Sequence, residues 1–262
     1  MELLSTLLTI IISTLGVGGY AVNNLLINNI KRNSQQVEKI EVRVNSIPGY
    51  QLLGGKIDSL QMSIKKWQPR NSIVFDLVEV ETDSIQLNLS AITNQQRNWR
   101  QLLQTPVAVA GRIILTEENL NKLLKSPEVQ SLIERIGGRV KIADLNIDLQ
   151  ANNRIRIDGK TKLPLRGEEL LNISLEFNLE LTRGHKLEIR NIAGTLNNRP
   201  LSSRLLNELV DGVNDRLSLR QWERDGITAR LLRLNTNENQ LEIAGFIHID
   251  NKKTIQDYDR RQ

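Results

Sequence analysis

The sequence predicts a mostly β, α+β fold in which a long, curved antiparallel sheet wraps around one long helix. Three observations predict it. Apolar and polar residues alternate with period two over long stretches, short polar turns separate those stretches, and one segment near residue 210 carries a wide apolar stripe at helical spacing.

The clearest strand runs from Leu171 to Leu181. Leu171, Ile173, Leu175, Phe177, Leu179 and Leu181 share one face; Asn172, Ser174, Glu176, Asn178 and Glu180 share the other. In Val140–Leu149 the phase slips near Ala143–Asp144, which predicts a β-bulge. Ile155 and Ile157 follow a turn at Ala151–Asn153, and Leu187 and Ile189 follow one at Arg183–His185. Ile227–Leu234 and Leu241–Ile249 flank a polar turn. Earlier strands are predicted at Ile40–Val44, Ile57–Ile64, Ile73–Val80, Ile85–Leu89 and Val107–Leu115. Short connections between consecutive strands imply an antiparallel meander.

Helices are few. Thr116 is a good N-cap for Glu117–Leu124, whose first turn is acidic. Ser126–Pro127 opens a second helix that Gly137–Gly138 closes. The third is predicted over Pro200–Leu219, with Leu201, Leu205, Leu206, Leu209, Val210, Val213 and Leu217 on its apolar face.

Each buried Leu or Ile is worth about 1.5–3 kcal/mol, so a strand with six of them on one face needs a cover. Two arrangements satisfy this. Either the helices and the sheet's own curl seal the core, or the sheet leaves an open apolar groove beside the Pro200–Leu219 helix that acyl chains would fill.

Residues 3–30 carry no charge, and Leu3–Val22 is apolar apart from Ser, Thr, Gly and Tyr. The stretch is long enough to span a bilayer as a helix. It reads as an uncleaved anchor, as a secretory signal with Gly19–Ala21 as a small-x-small site, or as a helix of the body. Met1–Glu2 supplies no basic leader, and Lys31 and Arg32 come after the segment, which by charge places the body on the cytoplasmic side. The expected organisation is therefore residues 1–30 as anchor or signal, 31–36 as polar linker, 37–250 as a β-rich domain, and 251–262 as a charged, disordered tail.

Composition narrows the function classes. Apolar residues make up 39% of the chain but aromatics 3%, so the core is aliphatic and a nucleic-acid stacking platform or an outer-membrane aromatic girdle cannot be built. The net charge of +5 suits an anionic surface. With no cysteine, thiolate chemistry and cysteine metal sites are excluded. The two histidines, His185 and His248, lack metal-ligand spacing. Ser63–Lys66 matches S-x-x-K but lies in a predicted strand without partner motifs, and Gly49–Lys56 misses the phosphate-loop spacing. Asp76, Glu79, Glu81 and Asp83 cluster in sequence, but Glu79 and Glu81 alternate with Val78 and Val80 and read as the wet face of a strand rather than paired catalytic carboxylates. Two clusters set Trp beside cations: Lys65, Lys66 and Trp67, and Arg97, Trp99 and Arg100. Each reads either as a headgroup contact with the indole at the interface or as a loop anchor. No cofactor is expected.

Three stretches resemble the LmeA-like phospholipid-binding family of bacteria. They are Val37–Leu60 (VEKIEVRVNSIPGYQLLGGKIDSL), Glu79–Ile85 (EVETDSI) and Arg112–Pro127 (RIILTEENLNKLLKSP), with Leu115–Glu117 and Leu120–Asn121 the most recognisable piece. Ser84 stands where the family often has Pro, which leaves that turn in doubt. The resemblance covers roughly residues 37–250. It implies an envelope-associated phospholipid-binding protein built like the tubular lipid-binding modules, on the exported side of the membrane, against the charge rule. It supplies no catalytic residues. On this basis the candidate lipid-binding residues are Leu171, Ile173, Leu175, Phe177, Leu179, Leu205, Leu209 and Val213, with Lys65, Lys66 and Trp67 for headgroups. The competing reading is an anchored scaffold that recruits an envelope enzyme and holds no lipid.

Overall fold

The computed structural model describes residues 22–70, 73–90, 102–126, 130, 141–162, 170–214, 217–220, 223 and 226–251. The Leu3–Ala21 stretch, Arg97–Arg100, the helix expected after Ser126 apart from Gln130, and the tail from residue 252 lie outside them.

The chain divides into two compact units. The first holds Met1–Ile113, Leu219–Arg230 and Ala244–Gln262; the second holds Ile114–Ser218 and Leu231–Ile243. The elements in chain order are α1 (Val22–Arg32), β1 (Ser34–Gln36), β2 (Lys39–Asn45), a 3-10 helix (Gly49–Gly54), β3 (Lys56–Ile57), β4 (Ser59–Pro69), β5 (Phe75–Thr82) and β6 (Ile85–Gln86). Then follow β7 (Val107–Thr116), α2 (Glu117–Leu124), β8 (Lys141–Leu149), β9 (Arg154–Lys162), β10 (Leu170–Thr182), β11 (Lys186–Leu196), β12 (Arg199–Pro200), α3 (Ser203–Asn214), β13 (Ile227–Thr236) and β14 (Gln240–Ile249). A seven-stranded sheet runs β1-β4-β5-β7-β14-β13, with β2 also pairing β4; a five-stranded sheet runs β12-β11-β10-β9-β8; β3 and β6 form a short ribbon.

In the first unit, α1 buries Leu26 and Ile30, four residues apart on one helical face. Residues 22–30 of the segment expected as an anchor are thus packed helix, and Ser34–Gln36 of the expected linker pair with β4. No helix of the described residues is long and apolar enough to cross a membrane. Along β4, Leu60, Met62 and Ile64 point inward, and then the phase flips: Lys65 and Lys66 are both exposed, and Trp67 and Pro69 are buried. Lys66 takes a left-handed backbone with φ 49°, which produces the flip.

The second unit follows the meander closely. Its tight turns carry paired positive φ values, Asn152–Asn153 at 61° and 58°, Arg183–Gly184 at 52° and 68°, and Asn197–Asn198 at 45° and 61°, the last a two-residue hairpin between Leu196 and Arg199. The bulge predicted at Ala143–Asp144 is present; the β8–β9 register shifts between Ala143 and Asn146, and Asp144 has φ 52°.

Among the described residues the expected long helix does not appear, nor a sheet wrapped around it. The Asn197–Asn198 turn sends Arg199–Pro200 back along β11 as β12, pairing with Thr195 and Leu196. At the other end, the Ile189 N–H donates to Asn214 Oδ1 (2.8 Å) and the Leu187 N–H to the Leu217 carbonyl (3.2 Å). Competition from this sheet edge ends the helix, so α3 has 12 residues in place of the expected 20-residue span.

Candidate functional site

Register places the apolar residues of the five-stranded sheet in rows across one face. Ile147 faces Ile157, which faces Leu175, which faces Gly194. Leu149, Ile155 and Phe177 make a second row, and Leu179–Ile189 and Leu181–Leu187 continue it on β10 and β11. Leu149 and Ile155 are buried with Leu234 and Leu241, and Leu115, Leu120, Phe177, Leu179, Leu181, Leu187 and Ile243 pack around them. One end of the face is therefore a closed core. The cover is tied down: Thr236 Oγ1 donates to the Gln150 carbonyl (2.6 Å) and the Thr236 N–H to Asn153 Oδ1 (2.9 Å).

Cover is thinner elsewhere. Of the six apolar residues on this face of β10, only Leu171 is buried; Ile173, Leu175, Phe177, Leu179 and Leu181 are half-buried. Helix α3 touches the sheet at Gly194. A Cβ there would lie 2.7 Å from Leu175 Cδ2, 3.0 Å from Leu201 Cδ1 and 3.1 Å from Leu206 Cδ2, so the missing side chain is what lets Leu206 seat against Leu175. Leu206 is the buried residue of α3. At about 100° per residue, Leu209 and Val213 lie only about 60° and 20° around the helix from Leu206. They share its sheet-facing side, yet they are 42% and 37% exposed, and Leu205 on the flank is 43% exposed. The helix is seated at its N-terminal half and leaves apolar surface open along its C-terminal half.

The opposite face of the sheet is wet and charge-matched. Arg154 pairs with Glu176, Arg156 with Asp158 (3.0 Å) and Lys160 with Asp144 (3.1 Å). Lys186 and Arg190 both hydrogen-bond Glu188 and hold its carboxyl below the usual range. A depression of about 410 Å³ on this face is lined by Arg156, Asp158, Lys160 and Asn172 among others; a second, of about 590 Å³, surrounds Glu117, Asn121, Lys122 and Asn239. Both are open and lined mainly by polar and charged residues, and neither is the apolar groove expected from the pattern.

The motif Leu115–Asn121 has a structural task that pattern reading missed. β8 is the outer strand of its sheet, with its backbone groups facing outward. From α2, Asn121 Nδ2 donates to the Ile147 carbonyl (2.8 Å) and Asn121 Oδ1 accepts from the Ile147 N–H (2.6 Å). Glu117 Oε2 accepts from the Leu149 N–H (2.8 Å). Two side chains one helical turn apart thus stand in for a neighbouring strand, while Leu120 packs into the core and Thr116 accepts from the Asn119 N–H as the predicted cap. Asn121→Ala is expected to cost about 1–3 kcal/mol and to promote aggregation, because it strips two partners from an edge strand. Urea unfolding and light scattering would check both effects; an unchanged midpoint would show that water replaces the amide.

Lys65, Lys66 and Trp67 belong to the first unit, apart from the other candidates. Trp67 is not an interfacial indole. It is fully buried, its Nε1–H donates to Ser34 Oγ (2.8 Å), and its ring lies 6.1 Å from that of Phe75. The β4 phase flip carries it inward. Lys66 pairs with Asp76, and Lys65 is exposed. His185 Nδ1 lies 3.0 Å from the Arg183 carbonyl and His248 3.4 Å from Asp250. Among the described residues no three His, Asp or Glu side chains gather as a metal site requires.

Compared with known proteins, residues 14–246 match the family described as LmeA-like phospholipid-binding. No curated protein and no solved structure matches the chain.

Proposed function

The chain belongs to the LmeA-like phospholipid-binding family, and from that premise we propose that the second unit holds phospholipid acyl chains on the apolar surface between Ile173, Leu175 and the open flank of α3. The observation that carries this reading is the half-seated helix. Leu206 is buried over Gly194, while Leu209 and Val213 on the same side stay more than a third exposed. A soluble partner-free surface gains nothing from such a stripe. Burial under hydrocarbon returns about 25 cal/mol per Å² of apolar area. The charge-matched face opposite stays in water. The apolar Leu3–Val22 stretch then keeps the chain at a membrane, where its ligand is found. Because the lipid is bound and not transformed, this reading assigns no catalytic residue.

Leu209→Asp combined with Val213→Asp tests it. Both side chains are already accessible, so the fold should tolerate the change. A charge in the acyl contact is expected to lower lipid retention at least about tenfold, which corresponds to about 1.4 kcal/mol. The full chain would be purified in mild detergent and its bound phospholipid quantified by extraction and mass spectrometry. Retention of lipid by the variant, or a lipid-free parent, contradicts the assignment.

A further inference from the structure

We infer that the loop from Ile47 to Leu53 in the first unit is a membrane-docking ridge that inserts into the headgroup region of a phospholipid bilayer. Ile47, Tyr50 and Leu53 are 83%, 73% and 69% exposed, three large apolar side chains left in water within seven residues. They recur every third residue. Tyr50 and Leu53 lie in the 3-10 helix Gly49–Gly54 and Ile47 sits just before it. With about three residues per turn, side chains at i and i+3 eclipse, so Tyr50 and Leu53 share one face of the helix, and the exposed Ile47 stands just ahead of its N-cap Pro48.

The ridge is built, not frayed. The Ile47 N–H donates to Asp58 Oδ2 (2.8 Å), Ser46 Oγ to the Lys56 carbonyl (3.2 Å) and Gln51 Nε2 to the Ile47 carbonyl (2.9 Å). Gly55 closes the helix with φ 76°, and its carbonyl accepts from the Leu87 N–H (2.9 Å). A Cβ on Gly55 would come within 3.0 Å of the Leu87 carbonyl oxygen, so the close approach requires glycine. These ties join both arms of the loop and hold the apolar line outward at fixed geometry.

Chemistry selects the partner. From Ser46 to Ile57 the one charged side chain is Lys56, and the Asp58 carboxylate beside it is engaged by the Ile47 N–H and by Lys56 (3.9 Å), which offsets its charge toward anionic lipid. Tyrosine suits the interface, with an apolar ring and a polar tip. Three such side chains can bury roughly 500 Å², at about 150–200 Å² each, below the roughly 800 Å² per partner of a stable protein interface. A bilayer accepts a small insertion; a protein partner or second copy needs more.

The identity of the partner as phospholipid rests on the family reading; the insertion itself is tested separately. The chain has no cysteine, so a single one can carry a probe. Gly49→Cys is suited, because a Cβ there meets nothing within 4 Å. The full chain would be labelled with an environment-sensitive nitrobenzoxadiazole and mixed with vesicles of phosphatidylcholine and phosphatidylglycerol. The expected result is a blue shift and gain in emission, quenched by spin-labelled lipid. The same label at Asn237, on an exposed turn, should stay in water. Combining Ile47→Ser, Tyr50→Ser and Leu53→Ser should abolish the shift at residue 49 while leaving co-purified lipid unchanged. An emission unaltered by vesicles, or a shift that survives the triple substitution, overturns the inference; a protein-docking ridge would give the former. Loss of co-purified lipid in the parent with the shift intact would remove the acyl-chain reading and leave the docking ridge standing.

Discussion

Trp67→Ala is expected to lower the unfolding free energy of the first unit by about 3–5 kcal/mol. Its indole is fully buried, meets Phe75 and donates to Ser34, so truncation removes an aromatic contact, leaves a cavity and takes away the donor to Ser34 Oγ, which keeps its own bond to the Ile30 carbonyl. Urea unfolding followed by circular dichroism checks it. Trp67→Phe should recover most of the packing and lose only the Ser34 hydrogen bond, about 0.5–1.5 kcal/mol. Were Trp67 a headgroup contact, truncation would weaken vesicle binding and leave the midpoint unmoved.

Leu149→Ala should cost about 2–5 kcal/mol. Leu149 is buried at the closed end of the second unit, beside Ile155, Leu234 and Leu241, and its own N–H is held by Glu117. Leu209→Ala is the informative partner, because the same atoms are removed from a side chain 42% exposed. Its stability cost should be a small fraction of the Leu149 cost, and its effect should fall on bound lipid instead. The pair separates leucines that build the core from leucines left available. Equal losses at both positions would mean that α3 is seated along its whole length in solution.

The alternation of Leu171–Leu181 placed β10 and its two faces correctly, because a period of two survives any tertiary context that keeps one side dry. The Ala143–Asp144 slip was legible for the same reason: a bulge is a phase change, and phase is written in residue order. The adjacent Lys65 and Lys66 carry the same signal in β4, and reading them as a headgroup cluster instead misplaced Trp67. The extent of α3 was not legible. Apolar spacing from Leu201 to Leu217 is helical throughout, but the Asn197–Asn198 turn and the free edge of β11 compete for both ends, and that competition is tertiary. The docking ridge was hidden because its period of three belongs to neither template used for strands and α-helices. Asn121 was visible only as part of a family motif; its bidentate pairing with Ile147 depends on which strand lies at the sheet edge.

Acyl chains are expected to lie on the surface shared by β10, β11 and α3. A phosphatidylglycerol carrying a diazirine in its acyl chain, photolysed with the full protein and mapped by peptide mass spectrometry, tests it most directly. Adducts are expected on peptides spanning Leu170–Leu196 and Ser203–Asn214, lost when Leu209 and Val213 are replaced by aspartate. Adducts confined to the first unit, or spread without preference along the chain, would contradict it.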